Sequence, residues 1–201
     1  MDKKIVLLII LLLVGGRTFS QVHYSIEGST DHEYEGRKVF LIMVEEDNRQ
    51  ADSTNVVNGK FIFKGELLQP CWAAVCIDGM DGIFTVLENC NIRICTDGKE
   101  GWCEGTPIND VFQKSWREYQ VLNQAGIDAF KKLDSLNVET ERKKELYAIT
   151  REKVIKQTKE FIKRTVYENL DNIIPAFWIR IFQEQITVDE LNAMLADASP
   201  C

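Results

Sequence analysis

The fold is decided by the stretch Asn58-Gly59-Lys60-Phe61-Ile62-Phe63-Lys64. Asn-Gly is the strongest two-residue signal for a type I′ hairpin turn, because both residues accept a positive φ. After the turn, Phe61 and Phe63 fall on one face of an extended chain, and Ile62 falls between two lysines on the other face. We therefore predict that this turn joins a strand at 53–57 to a strand at 60–64, with the phenylalanines in a core.

Short apolar runs separated by turn residues continue this pattern on both sides. We expect further strands at 22–26, 39–44, 72–77, 83–87 and 92–96. The later runs are separated by Asp78-Gly79, Asp81-Gly82, Glu88-Asn89 and Asp97-Gly98, which are typical turn sequences. Short strands at regular spacing predict an antiparallel β-sandwich-like domain over 22–104.

The periodicity of the apolar residues becomes helical from Asn109 onward. Apolar side chains then recur at steps of three and four residues, at Val111, Phe112, Trp116, Tyr119 and Leu122. Longer or later helices are expected at 139–168, at 173–182 and from the capping box Thr187-Val188-Asp189-Glu190 onward. The sequence therefore predicts an α+β protein whose C-terminal segment, 106–201, contains about four helices.

The surface of the longest predicted helix carries charges at a spacing of four residues. Glu152 precedes Lys156 by four positions, and Glu160 precedes Arg164 by four. This order favours ion pairs along a helix. We expect both pairs to form, on a helix that packs against a neighbour.

The first twenty residues are typical of a cleavable secretion signal. Lys3 and Lys4 precede an apolar run at 5–14, and Thr18-Phe19-Ser20 places small side chains before a cut at Gln21. The alternative is a membrane anchor, but ten helical residues rise only about 15 Å, whereas a bilayer core is about 30 Å thick. We therefore expect export to the periplasm or cell envelope, with no membrane span after signal removal.

Two compositional features narrow the classes of function. A lipid-anchored protein needs a cysteine at the cut, and the first cysteine of the chain is Cys71, so a lipoprotein is not expected. The formal net charge is −7, which argues against nucleic acid as a partner, since nucleic acid requires a basic face.

The six cysteines of the chain would meet an oxidising compartment after export. Three interpretations are open: buried free thiols, which the spacing favours, one structural disulfide, or a metal site. A disulfide would join Cys76 to Cys90 or to Cys95 across two strands. A metal site is disfavoured because no histidine lies near the cysteines, and the absence of a C-x-x-C pair excludes the dithiol motif of thioredoxin-like enzymes.

No catalytic, cofactor-binding or metal-binding set emerges from the remaining residues. The histidines, His23 and His32, have no plausible nucleophile beside them, and Glu45-Glu46-Asp47 lacks the alternating spacing of a calcium loop. No glycine-rich phosphate loop is present. The tryptophans, Trp72, Trp102, Trp116 and Trp178, are more typical of a core than of a sugar-binding face.

Several segments together resemble a known family. Asp52-Ser53-Thr54 with the 58–65 segment resembles its central hairpin, Leu87-Glu88-Asn89-Cys90-Asn91-Ile92 its "LENGNI" turn, and Gly105-Thr106-Pro107-Ile108-Asn109-Asp110 its "GTPLND" motif before the helices. The family is a domain of unknown function that precedes a thioredoxin-like module in exported thiol:disulfide interchange proteins of the alkyl hydroperoxide reductase/thiol-specific antioxidant type. The resemblance covers roughly residues 22–200.

The chain departs from that family at two places. Cys90 replaces the glycine of the turn, which matters if the position requires a positive φ. The chain also reaches Cys201 without a thioredoxin-like module, and that module is where the family's redox chemistry resides. The resemblance therefore implies a context of cell-envelope thiol biology and no activity of this chain.

These observations lead to three hypotheses about function. The leading one is an exported accessory or binding module with no catalytic site and no cofactor, whose partner is an unknown protein or small molecule. The alternative is the N-terminal part of a truncated or split thiol:disulfide oxidoreductase. The third is a glycan-binding β-sandwich, which requires exposed tryptophans or tyrosines on one sheet face.

Overall fold

The computed structural model describes residues 22–44, 49–96 and 100–196, apart from the side chain of Leu195. The expected signal at 1–20, the acidic stretch Glu45-Glu46-Asp47 and Cys201 lie outside the described residues. The strands are β1 (Val22–Ser29), β2 (Lys38–Met43), β3 (Arg49–Asn55), β4 (Lys60–Leu67), β5 (Cys71–Ile77), β6 (Ile83–Leu87), β7 (Asn91–Thr96) and β8 (Gly101–Glu104). The helices are α1 (Pro107–Asp134), α2 (Thr140–Tyr167), α3 (Ile174–Ile181) and α4 (Val188–Ala196).

Two four-stranded sheets enclose one core. The outer sheet has the order β4-β1-β7-β8, and the inner sheet has the order β3-β2-β5-β6. Alternate side chains of both sheets fill the space between them, among them Ile26, Leu41, Phe63, Val75 and Ile92. The α+β prediction is therefore confirmed. β1 and β7 pair in parallel, which a purely antiparallel sandwich would not contain.

The turn at Asn58-Gly59 forms as predicted. The φ angles of these residues are 53° and 69°, as a type I′ turn requires, and Val57 and Lys60 bridge it through two backbone hydrogen bonds of 2.8 and 3.1 Å. Glu35 holds the turn from outside, because its carboxylate accepts the N–H groups of both turn residues at 2.9 Å. These two bonds keep the pKa of Glu35 below its ordinary value.

The two strands that flank this turn belong to different sheets. β4 pairs with β1 along its whole length, while β3 pairs with β2, so the expected ladder between 53–57 and 60–64 is wrong beyond the single bridge. The physical reason is that the longer ladder with β1 satisfies more backbone groups of β4 than a short hairpin would. Phe61 and Phe63 are buried and Ile62 is exposed, as the alternation predicted.

β5 is buried on both faces. Cys71, Ala73 and Val75 point into the core between the sheets, and Trp72 points into a second core beneath the helices. A strand covered on both sides has an apolar run without alternation, which explains the composition of this segment.

β8 was not predicted because Gly101-Trp102-Cys103-Glu104 contains no apolar run, yet it pairs with β7.

The helices cover the outside of the inner sheet through an aromatic cluster. Its rings lie about 4.7–6.3 Å from their neighbours and come from Trp72, Phe84, Phe112, Trp116, Tyr119, Phe161, Phe177, Trp178 and Phe182. The indole N–H of Trp72 donates to the Ile173 carbonyl, and that of Trp178 donates to the Ser115 hydroxyl, both at 3.2 Å. The cluster thus satisfies its polar atoms while it fixes α1, α2 and α3 on the sheet. None of the helices in the described ranges combines the length and apolar character needed to cross a bilayer.

The predicted capping box starts α4 and also ties it to α2. The Glu190 N–H donates to the Thr187 hydroxyl at 3.2 Å, and the Glu190 carboxylate accepts the Thr187 N–H at 2.8 Å. The Lys159 ammonium of α2 lies 2.9 Å from the same carboxylate. The Thr187 backbone bond, followed by Lys159, lowers the pKa of Glu190 to about 2.

We expect Glu190→Gln to lower the thermal midpoint at neutral pH. The neutral amide loses the ion pair with Lys159, and it caps α4 less strongly than the carboxylate does. The folded-state pKa lies below the ordinary value of 4.5, so the carboxylate stabilises the fold above that value and loses this effect as the pH falls toward about 2. Thermal melts at pH 7, 4 and 3 should therefore show a shrinking difference between variant and parent. Glu184→Gln, an exposed control on the same segment, should change little, and a pH-independent difference for Glu190→Gln would contradict the assignment.

Candidate functional site

A groove of about 710 Å³ runs between α2 and α4. We call it the α2–α4 groove. Its apolar lining comes from both helices and the segment before α4, namely Ile149, Ile155, Ile162, Tyr167, Ile186, Ala193 and Met194. Ile162 and Met194 are buried in its floor, whereas Ile149 is 54% exposed at one end. The groove is therefore an open, partly apolar surface that a second molecule can reach.

One stripe of α2 forms the long wall of the groove. Ile149, Lys156 and Lys163 recur every seven residues, which places them on one side of a helix, and all three line the groove. Other residues of α2, including Phe161 and Val166, pack into the aromatic core. The sequence pattern predicted a helix that packs on a neighbour, and the seven-residue spacing of its second stripe was the signal that could have indicated another contact surface.

The charges along this wall are not paired as the sequence predicted. Arg164 bonds Glu118 of α1 instead of Glu160, and within the described residues no ion pair joins Glu152 to Lys156. Both predicted pairs are therefore wrong. Arg164 pairs elsewhere because a tertiary contact with α1 outcompetes a weak pair on one helix, and the structure offers no such reason for Glu152 and Lys156. Glu152, Lys156 and Glu160 are exposed at the groove.

A buried polar cluster lies where the edge strands β6 and β8 meet α1. Asn109 is fully buried there, and its side-chain amide makes the two backbone hydrogen bonds that a neighbouring strand would make. Its oxygen accepts the Val86 N–H at 2.7 Å, and its nitrogen donates to the Val86 carbonyl at 2.8 Å. The same amide bonds the hydroxyls of Thr85 and Thr106 at 3.0 and 2.8 Å.

The two motifs that carry the family resemblance meet in this cluster. Glu88 comes from the 87–92 segment, and its carboxylate accepts the Thr106 hydroxyl of the 105–110 segment. Thr106 is also the N-cap of α1, and Gly105 before it has a φ of +94°, which favours glycine. The polar groups of these residues are therefore used in bonds that hold α1 to the sheet.

Cys90 does not have a positive φ, so the cysteine that replaces the glycine of the turn causes no backbone strain.

The Cys103 thiol is buried beside this cluster. Its sulfur lies 3.1 Å from the Gln113 amide nitrogen and 3.3 Å from the Phe84 carbonyl. Burial raises the pKa of the Cys103 thiol to about 11, which opposes formation of the nucleophilic thiolate. The arrangement suits a structural thiol.

The structure places the three candidate disulfide cysteines apart from one another as free thiols. Cys76 alternates with the core residues Val75 and Ile77 of the inner sheet, and Cys95 follows the core residue Ile94 of the outer sheet. The two side chains therefore project away from the shared core on opposite sides of the sandwich, where a disulfide cannot join them. Cys90 is exposed in the turn between β6 and β7.

The tryptophans divide between the core and a polar cleft. Trp72 and Trp178 are buried in the aromatic cluster. Trp116 lines a cleft of about 660 Å³ between the β5–β6 turn, β8 and α1, together with Asp81, Glu100 and Gln120, and Trp102 lines an adjoining cavity of about 250 Å³. We call the two together the β–α1 cleft. Since Trp102 lies on β8 and Trp116 on α1, they do not share a sheet face as a glycan-binding sandwich was expected to require.

The histidines lie on the surface, as predicted. His23 is 3.2 Å from the Glu66 carboxylate and His32 is exposed. In residues 22–44, 49–96 and 100–196, no three His, Cys, Asp or Glu side chains are grouped to hold a metal ion.

Comparison with known proteins identifies the first part of the chain. Residues 24–112 match the model of a family described as "Domain of unknown function (DUF4369)", which confirms the resemblance to such a domain for these residues. The match covers less than half of the 201 residues and ends within α1, just after Asn109. No curated protein and no solved structure matches the chain.

We expect Asn109→Ala to destabilise the protein by about 2–4 kcal/mol, because the N–H and carbonyl of Val86 would be left buried without partners. Chemical denaturation monitored by tryptophan fluorescence measures this loss. Asn123→Ala, an exposed position on the same helix, is the matched control and should change stability by less than about 0.5 kcal/mol. Equal effects of the two substitutions would contradict the role given to Asn109.

Proposed function

We propose that the chain is an exported binding module without a catalytic site of its own, related to the domain that precedes the thioredoxin-like module of envelope thiol:disulfide oxidoreductases. The observation that carries the proposal is the α2–α4 groove, an open surface with an apolar floor and charged walls. Helical grooves of this kind bind other polypeptides through apolar anchors flanked by charges. Export rests on the signal pattern at 1–20.

The chemistry of the thiols supports a binding role over a redox role. Thiol:disulfide exchange requires an accessible thiolate and a partner thiol within reach. The Cys103 thiol is buried with a pKa of about 11, and burial also raises the pKa of Cys76. Cys90 is exposed, but the other candidates Cys76 and Cys95 project from the two outer faces of the sandwich.

Turnover of a disulfide substrate by purified residues 21–201 tests the proposal. We expect reduction of insulin disulfides by dithiothreitol to proceed at the same rate with and without the protein, because no pair of thiols in the part of the chain that the structure describes is placed to exchange. A C-x-x-C oxidoreductase serves as the positive control, and a variant with Cys90→Ser identifies any contribution of the exposed thiol. Any catalysed turnover would overturn the proposal, and its loss in Cys90→Ser would assign the activity to the exposed thiol.

The β–α1 cleft favours a second candidate function, the binding of a glycan. Sugars are held by aromatic faces together with carboxylates and amides, and this cleft contains Trp116 and Gln120 beside Asp81 and Glu100. Trp102 and Arg117 extend the same lining.

If the β–α1 cleft binds glycans, Trp102→Ala and Gln120→Ala should each weaken binding about tenfold, because a stacking surface or an amide partner is lost. Isothermal titration with oligosaccharides of glucose, galactose and N-acetylglucosamine measures this affinity. Gln157→Ala, at an exposed position of α2, is the control and should bind like the parent. Absence of binding to all three would rule out this candidate for those sugars.

A further inference from the structure

We infer that the α2–α4 groove is the contact surface of a symmetric dimer, in which α2 packs antiparallel against α2 of a second copy of this chain. The inference rests on the proposed function, since it names the partner of the proposed binding surface. It is carried by the central charges Lys156 and Glu160 and by the apolar ends of the stripe on α2, which complement themselves about the level of Thr158.

The charges at the centre of the stripe complement themselves under a two-fold axis. In an antiparallel pair centred at the level of Thr158, positions equally far before and after that residue face each other. Lys156 lies two residues before it and Glu160 two residues after it, so each lysine faces the glutamate of the second copy. Two identical ion pairs result from a single choice of centre.

The outer charges follow the same arrangement in part. Lys163 comes to the level of Lys153 of the second copy and within one residue of Glu152, and all three line the groove. Lys159 is already engaged by Glu190 within the chain, so its charge does not oppose the contact. Each exposed carboxylate of the stripe therefore comes near a lysine of the second copy, and Glu152 offsets the repulsion between Lys153 and Lys163.

The exposed apolar residue of the stripe also finds a matching site. Ile149 lies nine residues before Thr158 and Tyr167 nine residues after it. Tyr167 lines the far end of the groove with Ala193 and Met194, so Ile149 of each copy would enter the apolar end of the other groove. This accounts for an isoleucine that is 54% exposed in one copy.

The size of the surface predicts a reversible dimer. From Ile149 to Tyr167 the wall is about 27 Å long at 1.5 Å per residue, and α4 adds one flank to it. Contacts of this extent lie near the lower limit of stable protein interfaces. The dimer should therefore dissociate on dilution, and exposed ion pairs should have a measurable share in its affinity.

Charge exchange in purified residues 21–201 tests the dimer by sedimentation equilibrium over a range of concentrations. Lys156→Glu and Glu160→Lys should each weaken dimerisation at least about tenfold, because two attractive contacts become repulsive. The double variant carries the exchanged pair and should recover dimerisation. An equimolar mixture of the two single variants should also dimerise, since the glutamate introduced in one chain would then face the lysine introduced in the other.

An apolar substitution separates dimerisation from folding. Ile149→Asp should abolish the dimer with little change in thermal midpoint, because Ile149 is exposed in the single chain. Val121→Asp is the matched control, since Val121 is 72% exposed on α1 outside the groove, and it should dimerise like the parent. Circular dichroism confirms that each variant is folded.

Two results would overturn the inference. One is a parent protein that stays monomeric at the highest concentration attained. The other is a dimer that persists in Lys156→Glu, Glu160→Lys and Ile149→Asp alike, which would place the interface elsewhere. Neither result concerns disulfide turnover, so failure of this inference and failure of the proposed function remain distinguishable.

Discussion

The arrangement of sheet and helices depends on one side-chain amide. β6 is the edge of the inner sheet, and its exposed backbone groups at Val86 require partners once helices cover them. The Asn109 amide supplies one donor and one acceptor at 2.8 and 2.7 Å, as another strand would. Because Asn109 lies in the first turn of α1, the same two bonds that close the sheet also fix where the helix begins.

The direction of α1 follows from this attachment. Helical spacing places Phe112 and Trp116 above the outer face of β5 and β6, where they meet Trp72 and Phe84. α2 then packs on α1, with Arg164 bonded to Glu118 across the two helices. Once one stripe of α2 is used in this way, a second stripe is left at the surface, and α4 encloses it from one side to form the α2–α4 groove.

Local features of the fold were predictable from the sequence, whereas pairings between distant segments were not. The turn at Asn58-Gly59 and the capping box at Thr187 involve neighbouring residues, so their residue types suffice to specify them. The separation of β3 and β4 into two sheets depends on β1, more than thirty residues away, and no local signal records it. Asn109 belonged to a recognisable motif, but its partner Val86 lies 23 residues earlier, so its role required the structure.

The ion pairs predicted along α2 are wrong for a related physical reason. Glu152, Lys156, Glu160 and Arg164 follow the order that stabilises an isolated helix, and such pairs contribute only a few tenths of a kcal/mol. A single contact with Glu118 of α1 is enough to redirect Arg164, and the wall of the groove then keeps its charges available for another molecule. The sandwich segment, residues 22–105, has 15 acidic and 7 basic residues, yet charges more than about 10 Å apart are largely screened at physiological ionic strength. The alternating charges of α2 therefore act locally, and the central pair of Lys156 and Glu160 is complementary to the same pair in a second copy.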